Sequence, residues 1–260
     1  DRDVILRSLT AQLQERDDRI RGLERLAAND GEDADARELR ERLLIMELPF
    51  ARFEFLDVFA AYNRAYWPAA FVLWLLTAVA LWRVYRARAG ASRFLSGTLA
   101  LQWGWAGVAY HWLHFRAINP AAGVFGGLFV LEAGILLWLG VFHSQLTFRV
   151  GNSGRDRLAL ALLVFALLYP IVGLLTGLAY PRLPTFGVPC PTAILPIGAL
   201  LLAPRGAGRR AGVIPFLWAV VGGSAAFALR IGADWALLLA GGALLFHLLG
   251  PEPAVGARTA

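Results

Sequence analysis

Long apolar runs dominate the chain from Tyr66 onward, and short polar connections carrying arginine separate them. Seven runs are recognisable, at 66–84, 94–113, 121–142, 158–180, 186–203, 213–230 and 234–249. A helix crossing a bilayer needs about 20 apolar residues, with a range of about 17–25. The pattern therefore predicts an all-α, polytopic membrane bundle of about seven transmembrane helices over 66–250, followed by a 251–260 tail. The fifth run reaches that length only with "FGVPCPT" included, and the seventh is short, so six is the alternative count. Pro189 and Pro191 are expected to prevent a regular helix at the start of the fifth run. The expectation there is an extended or re-entrant approach over Pro184–Pro191, then a helix from about Thr192. Lipid does not tolerate bare backbone, so protein must cover that approach or it must line a wet cavity.

Ahead of the runs the periodicity changes. Over 46–65, Phe50, Phe53, Leu56, Phe59 and Ala60 recur at helical spacing, while Arg52, Glu54, Asp57 and Arg64 fall mostly elsewhere. This predicts an amphipathic helix lying in the membrane interface. Tyr66, Trp67 and Pro68 form an aromatic boundary before the first span. Residues 1–45 are a charged appendage with nine arginines and twelve acids. There Leu6, Leu9, Leu13, Ile20, Leu23 and Ala27 fit a coiled-coil-like heptad, with Arg16 the misfit. Met46, the only methionine, stands where the composition shifts. Two readings of 1–45 follow: sequence upstream of a true start at Met46, or a native oligomerising appendage.

Composition sharpens the class. The chain is 58% hydrophobic, far above a soluble domain of this length. The net charge of +6 comes from arginines that flank apolar runs, which argues for topology and against nucleic acid. One cysteine excludes an internal disulfide and a cysteine-cluster zinc site. Three connections are arginine-rich: Arg83, Arg86, Arg88 and Arg93; Arg149, Arg155 and Arg157; Arg205, Arg209 and Arg210. The others hold Arg116, Arg182 and Arg230, one each. The expectation is a bacterial cytoplasmic (inner) membrane protein with its amino end outside and its carboxyl end inside.

Four stretches carry a family resemblance: "MELPFARFEFLDVFAAYNRAYWPA" (46–69), "AYHWLHFRAINPAAGVFG" (109–126), "YPRLPTFGVPCPT" (180–192) and "IPFLWAVVGGSAAF" (214–227). Together they resemble a bacterial multi-pass membrane family catalogued as domain of unknown function number 6064, over about 46–260. The resemblance implies a membrane protein beginning near Met46. It implies no activity, cofactor or site residue.

Ionisable residues at membrane depth are costly and mark functional candidates. Glu132 lies near the middle of the third run, with Gln102 at similar depth on the second as an expected hydrogen-bond partner. Tyr169 sits mid-run beside Pro170, which should kink its helix. The expected outer mouth gathers His111 and His114, spaced i and i+3 on one helix face, with Asn119, Arg182, Thr185, Cys190, Arg230 and Asp234. Two histidines and a cysteine are soft or borderline ligands, yet no H-x-x-x-H, C-x-x-C or E-x-x-H spacing supports a metal. His143 and His247, near helix ends, read as structural. No phosphate loop, nucleophile elbow or dinucleotide fingerprint appears, so neither a cofactor nor a catalytic residue is assigned.

Three functions fit these residues. The first is a small secondary transporter or permease, or a subunit of one, with a polar site at the outward mouth and Glu132 at the midplane. The second is a non-transporting scaffold or sensor. The third is a membrane enzyme acting on lipid or quinone, with His111, His114 and Asp234 as acid–base groups. The expected partners are the lipid bilayer and a second copy or another membrane subunit. The bland alternative for Glu132 is a carboxyl bonded to a neighbouring helix.

Overall fold

The structure, a computed structural model, describes residues 50, 52–229 and 231–250, with the side chain of Asp234 left out. The expected appendage over 1–45, the 251–260 tail and Arg230 lie outside the described residues. Those described are all-α and fall in one compact unit, Leu48–Ala260.

Helix α1 runs Arg52–Tyr85. Helix α2, Ala91–Trp105, continues as a π-helical segment, Ala106–Trp112. Helix α3, Ala122–Leu136, likewise runs into a π segment, Leu137–Phe142. Helices α4 (Gly154–Leu167) and α5 (Tyr169–Leu175) meet at a 68° bend. Helix α6 is Pro189–Leu201. Helices α7 (Arg205–Ala211) and α8 (Val213–Ala228) meet at 53°, and α9 is Trp235–Leu249.

Helix α6 is the centre of the bundle. All 13 of its residues are buried, and α2, α4, α8 and α9 pack around it. A helix apolar on every side has no face to give to water or lipid. Close approach is built in: a Cβ at Gly198 would press to 3.0 Å from Leu163 and 3.3 Å from the Ala159 carbonyl on α4.

The helix starts at Pro189, three residues before the expected Thr192. The reason is capping arithmetic. The first-turn N–H groups of a helix have no intrahelical partner, so Pro189 and Pro191 lose nothing there. The extended approach ends at Val188, whose φ of −94° and ψ of 157° are strand-like.

Length limits the span count. Thirteen residues reach about 20 Å, short of a hydrocarbon core of about 30 Å. Among the described residues, two helices are long and apolar enough to cross a membrane, α1 and Ala122–Phe142, or up to four if each bent pair is one span. Helices α6 and α9 are apolar but shorter. The expected count of seven is not reached by this measure.

Helix α1 bends at Tyr66 (φ −130°, ψ 18°). Pro68 donates no bond and crowds the preceding turn, which accounts for the break. Of the expected stripe, Phe50, Phe59 and Ala60 are buried and Leu56 is half-buried, so the buried face of the amino half follows it in part. Phe53 is exposed, while Val58, Phe59, Tyr62 and Asn63 are buried, the three ring and aliphatic groups in a cluster with Tyr110, Phe115 and Val188. This half of α1 therefore packs on the end of the bundle.

The arginine-rich connections lie together at one end. Arg93 donates to Ser144 Oγ at 2.9 Å, the Phe148 N–H donates to Ser92 Oγ at 2.9 Å, and the Arg149 N–H reaches the Leu202 carbonyl at 3.3 Å. Arg205 and Arg209 donate to the His247 and Leu248 carbonyls, each at 2.9 Å, closing the carboxyl end of α9.

The α4–α5 bend leaves a carbonyl over. Pro170 has no N–H, and the Ile171 N–H turns to Leu168, so Leu167 loses its usual i+4 donor. The indole of Trp74 on α1 supplies the missing bond, Nε1 to Leu167 O at 3.0 Å. Replacing Trp74 with phenylalanine keeps most of the packing and orphans that carbonyl. The expected result is a loss of about 1–3 kcal/mol in denaturant unfolding of the detergent-purified protein. An unchanged unfolding midpoint would show that the bond is dispensable.

Candidate functional site

At the end opposite the arginines, α1 clamps the approach to α6. Asn63 Nδ2 donates to the Pro181 and Leu183 carbonyls at 2.7 and 2.6 Å, and its Oδ1 accepts from the Thr185 hydroxyl. Tyr62 Oη donates to Phe186 O at 2.9 Å and accepts from Trp105 Nε1 at 2.8 Å. Gly187 (φ +80°) has no room for a Cβ, which would overlap the Tyr62 hydroxyl and the Trp105 indole. Arg182 pairs with Asp57 at 2.7 Å in an exposed contact worth little by itself. The irregular backbone before α6 is thus covered by protein, as an apolar surrounding demands.

These bonds occupy several candidate residues. Thr185 and Arg182 face α1 partners. Asn119 Oδ1 accepts from the Ala121 N–H, a turn that launches α3. His114 Nδ1 lies 2.7 Å from Ala109 O, and its ring meets Tyr62 and Tyr66 edge-on. Cys190 is buried in the first turn of α6. Tyr169 is buried against Phe165. Of Asp234 only the backbone is described, in a short 3-10 turn.

His111 and His114 do not share a face. His111 stands in the π-helical segment Ala106–Trp112, while His114 lies past its C-cap Leu113 in a turn (φ −123°, ψ −56°), so the i, i+3 alignment of a continuous α-helix fails. His114 turns toward α1, while His111 enters the bundle between α3 and α8. Among the described residues, no three His, Cys, Asp or Glu side chains come together to hold a metal.

The other polar residues at depth gather around Phe129 of α3. The His111 ring, fully buried, sits edge-on to Phe129 at 4.7 Å and to Trp218 of α8 at 5.1 Å. Trp103 of α2 stacks on Phe129 at 4.2 Å, and Trp218 meets it edge-on at 5.0 Å. Phe125, Phe129, Glu132 and Leu136 follow one another at helical spacing on one face of α3. Glu132 therefore comes one turn beyond Phe129, and it is fully buried. No protein group among the described residues hydrogen-bonds the Glu132 carboxyl, either His111 ring nitrogen, or the Trp103 and Trp218 indole N–H groups.

The expected Gln102–Glu132 pair does not form. Gln102 Nε2 donates to Thr77 Oγ1 on α1, whose own hydroxyl donates to Leu73 O at 2.7 Å. Gln102 thus bonds across the α1–α2 contact, and Glu132 faces elsewhere. Trp103 and Trp218 are not among the candidates drawn from the sequence. The 125, 129, 132, 136 spacing was the available pointer to the face they cover.

An unpaired buried polar group costs about 1–3 kcal/mol. An imidazole and two indoles go unpaired around Phe129, with an unpaired carboxyl one turn along the same helix, in an apolar surround.

Residues 52–252 match the Family of unknown function (DUF6064), and the chain belongs to that family. No curated protein and no solved structure matches it.

The clamp before α6 is testable through two glycines. Gly177 (φ +87°) and Gly187 both adopt left-handed backbone, but a Cβ at Gly177 meets nothing within 4 Å. Gly177→Ala should cost about 1–2 kcal/mol for its backbone alone. Gly187→Ala should cost clearly more, because the Tyr62 and Trp105 bonds must break as well. Equal shifts in thermal midpoint would count against the clamp.

Proposed function

We propose that this family member is a small membrane carrier, or the core subunit of one, that loads a proton or a small cation at Glu132. The observation that carries this reading is Glu132 itself. It is ten residues from either end of Ala122–Phe142, fully buried, and without a protein hydrogen bond among the described residues. An ionisable group held at membrane depth is costly and is kept where its charge state does work. The π-helical turn at His111 adds support, since such turns recur at functional sites. In this reading Glu132 takes up and releases the proton, and His111 is the second station toward the α1 end. Trp103, Phe129 and Trp218 keep bulk water out.

The reading includes an arrangement in the membrane. The seven apolar stretches all lie within a bacterial inner membrane, with α6 seated at depth and reaching the far surface through 181–188. The arginine-rich end faces the cytoplasm, following the bias of positive charge toward that side.

A second reading, a non-transporting scaffold or sensor, has one observation in its favour. Helix α6, the segment whose prolines invite a broken pathway, is packed on every side. It predicts that a partner co-purifies and that Glu132 is replaceable.

The test is proton movement in proteoliposomes under an imposed potential, read by an entrapped pH dye. Wild type should carry protons, Glu132→Gln should reduce the rate to the protein-free leak, and His111→Phe should slow it. The Gln variant should keep its thermal midpoint, which separates lost loading from lost folding. Wild-type vesicles no leakier than empty ones, or a Gln variant as fast as wild type, would sink the carrier reading.

A further inference from the structure

The arginine-rich end carries a second feature that positive-inside bias does not call for: a cavity. About 790 Å³ opens between the α1–α2 turn and the extended segment after α3. Its polar lining includes Arg88, Arg93, Arg149, Ser92, Ser144, Thr147 and Tyr85, and no carboxylate lines it. Val84, Leu146 and Phe148 supply apolar wall beside them.

The arginines are not spent on acids. Among the described residues the ion pairs are Arg155–Asp156 and Arg182–Asp57, and neither involves the cavity. Arg93 is steadied by its bond to Ser144 Oγ, and Arg88 stacks over the Trp82 ring at 5.7 Å. Both interactions orient a guanidinium while leaving most of its N–H groups to give. Three cations around one hollow repel one another unless an anion sits among them. Guanidinium forks match phosphate oxygens in geometry and form charge-assisted hydrogen bonds with them. Hydroxyls at Ser144 and Thr147 add neutral donors to the same space.

We propose that this cavity binds a phosphate-bearing anion, held by Arg88, Arg93 and Arg149. Its volume exceeds a bare phosphate and suits a phosphate ester with a polar head, within the usual range of ligand pockets. Two sources share this chemistry: the headgroup of an anionic phospholipid, and a soluble phosphate ester. The mixed lining, arginine beside Val84 and Leu146, fits a headgroup with the start of its acyl chains. Basic pockets between membrane helices recognise such headgroups. The proposal is independent of whether Glu132 carries a proton.

The experiment uses the full chain purified in neutral detergent. Thermal midpoints are read during titration with phosphatidylglycerol, with zwitterionic phosphatidylcholine, and with glycerol 1-phosphate. Phosphatidylglycerol should raise the midpoint well beyond phosphatidylcholine, and added salt should weaken the effect. The Arg88→Gln, Arg149→Gln double variant should bind about tenfold more weakly or worse, matching the loss of at least one charge-assisted bond. Arg86→Gln is the control, since Arg86 belongs to the same turn but does not line the cavity. It should behave as wild type. If the double variant fails to fold, each single variant should still show a several-fold loss. A midpoint shift from glycerol 1-phosphate equal to that from the lipid assigns the soluble source; a shift from lipid alone assigns the headgroup. The proposal is overturned if neither phosphatidylglycerol nor glycerol 1-phosphate stabilises wild type beyond phosphatidylcholine. It is overturned equally if Arg86→Gln loses as much as the double variant, because the effect would then be general surface charge.

Discussion

A helix buried on every side has to be apolar all round, and its neighbours have to be shaped to it. Helix α6 meets the first condition over Pro189–Leu201. The second is visible at Gly198, where α4 comes within ordinary contact only because no Cβ intervenes. Four helices are held in register by that one element, so its packing fixes where α2 and α8 stand. Those two helices carry His111 and Trp218, and α3 lies against both. The buried polar set around Phe129 is therefore a consequence of how α6 is surrounded.

Irregular backbone in such an apolar interior must find partners in the protein itself. This fold meets that demand with side chains from α1 and α7. Trp74 fills the carbonyl freed by Pro170, Tyr62 and Asn63 bond the approach to α6, and Arg205 and Arg209 close the end of α9. Each bond joins segments far apart in the chain. The bends at Tyr66 and Leu168 are thus stabilised interruptions with identifiable causes, and the kinked helix pairs are held at fixed angles. The contrast with the Phe129 set is plain. The carbonyls named above are provided for, while Glu132, His111, Trp103 and Trp218 find no partner among the described residues.

The class of fold is legible from periodicity, because apolar runs broken by arginine need no tertiary information to read. The beginning of α6 is misread from the same pattern, since proline is a breaker inside a helix and harmless in its first turn. The capping box that starts α4, Ser153 with Asp156, was open to reading from "SGRD". The π-helical segment was not, because no composition marks it, and its end at Trp112 leaves His111 inside the helix and His114 in the turn beyond. Gln102 pairs with Thr77 and not Glu132 through helix rotation, a quantity that an almost uniformly apolar run leaves undetermined. The candidate residues at the expected mouth stand out in the sequence because they are polar in an apolar chain. Most turn out to be occupied in holding the approach to α6, which is a reason for their presence that spacing alone does not reveal.

That division sharpens the meaning of Glu132. Asn63 has three bonds, Thr77 two and Tyr62 two. Glu132 has none from the described residues, as is also true of the Ser96, Tyr169 and Thr192 hydroxyls, but of these groups it alone is a carboxyl. An apolar residue of similar size there would remove a desolvation cost and leave the helix contacts in place. His111 and two indoles also go unpaired, and they meet Phe129 one helical turn away on α3. The proposed carrier role rests on that combination: a titratable group in an apolar surround, with its desolvation not offset by local bonding.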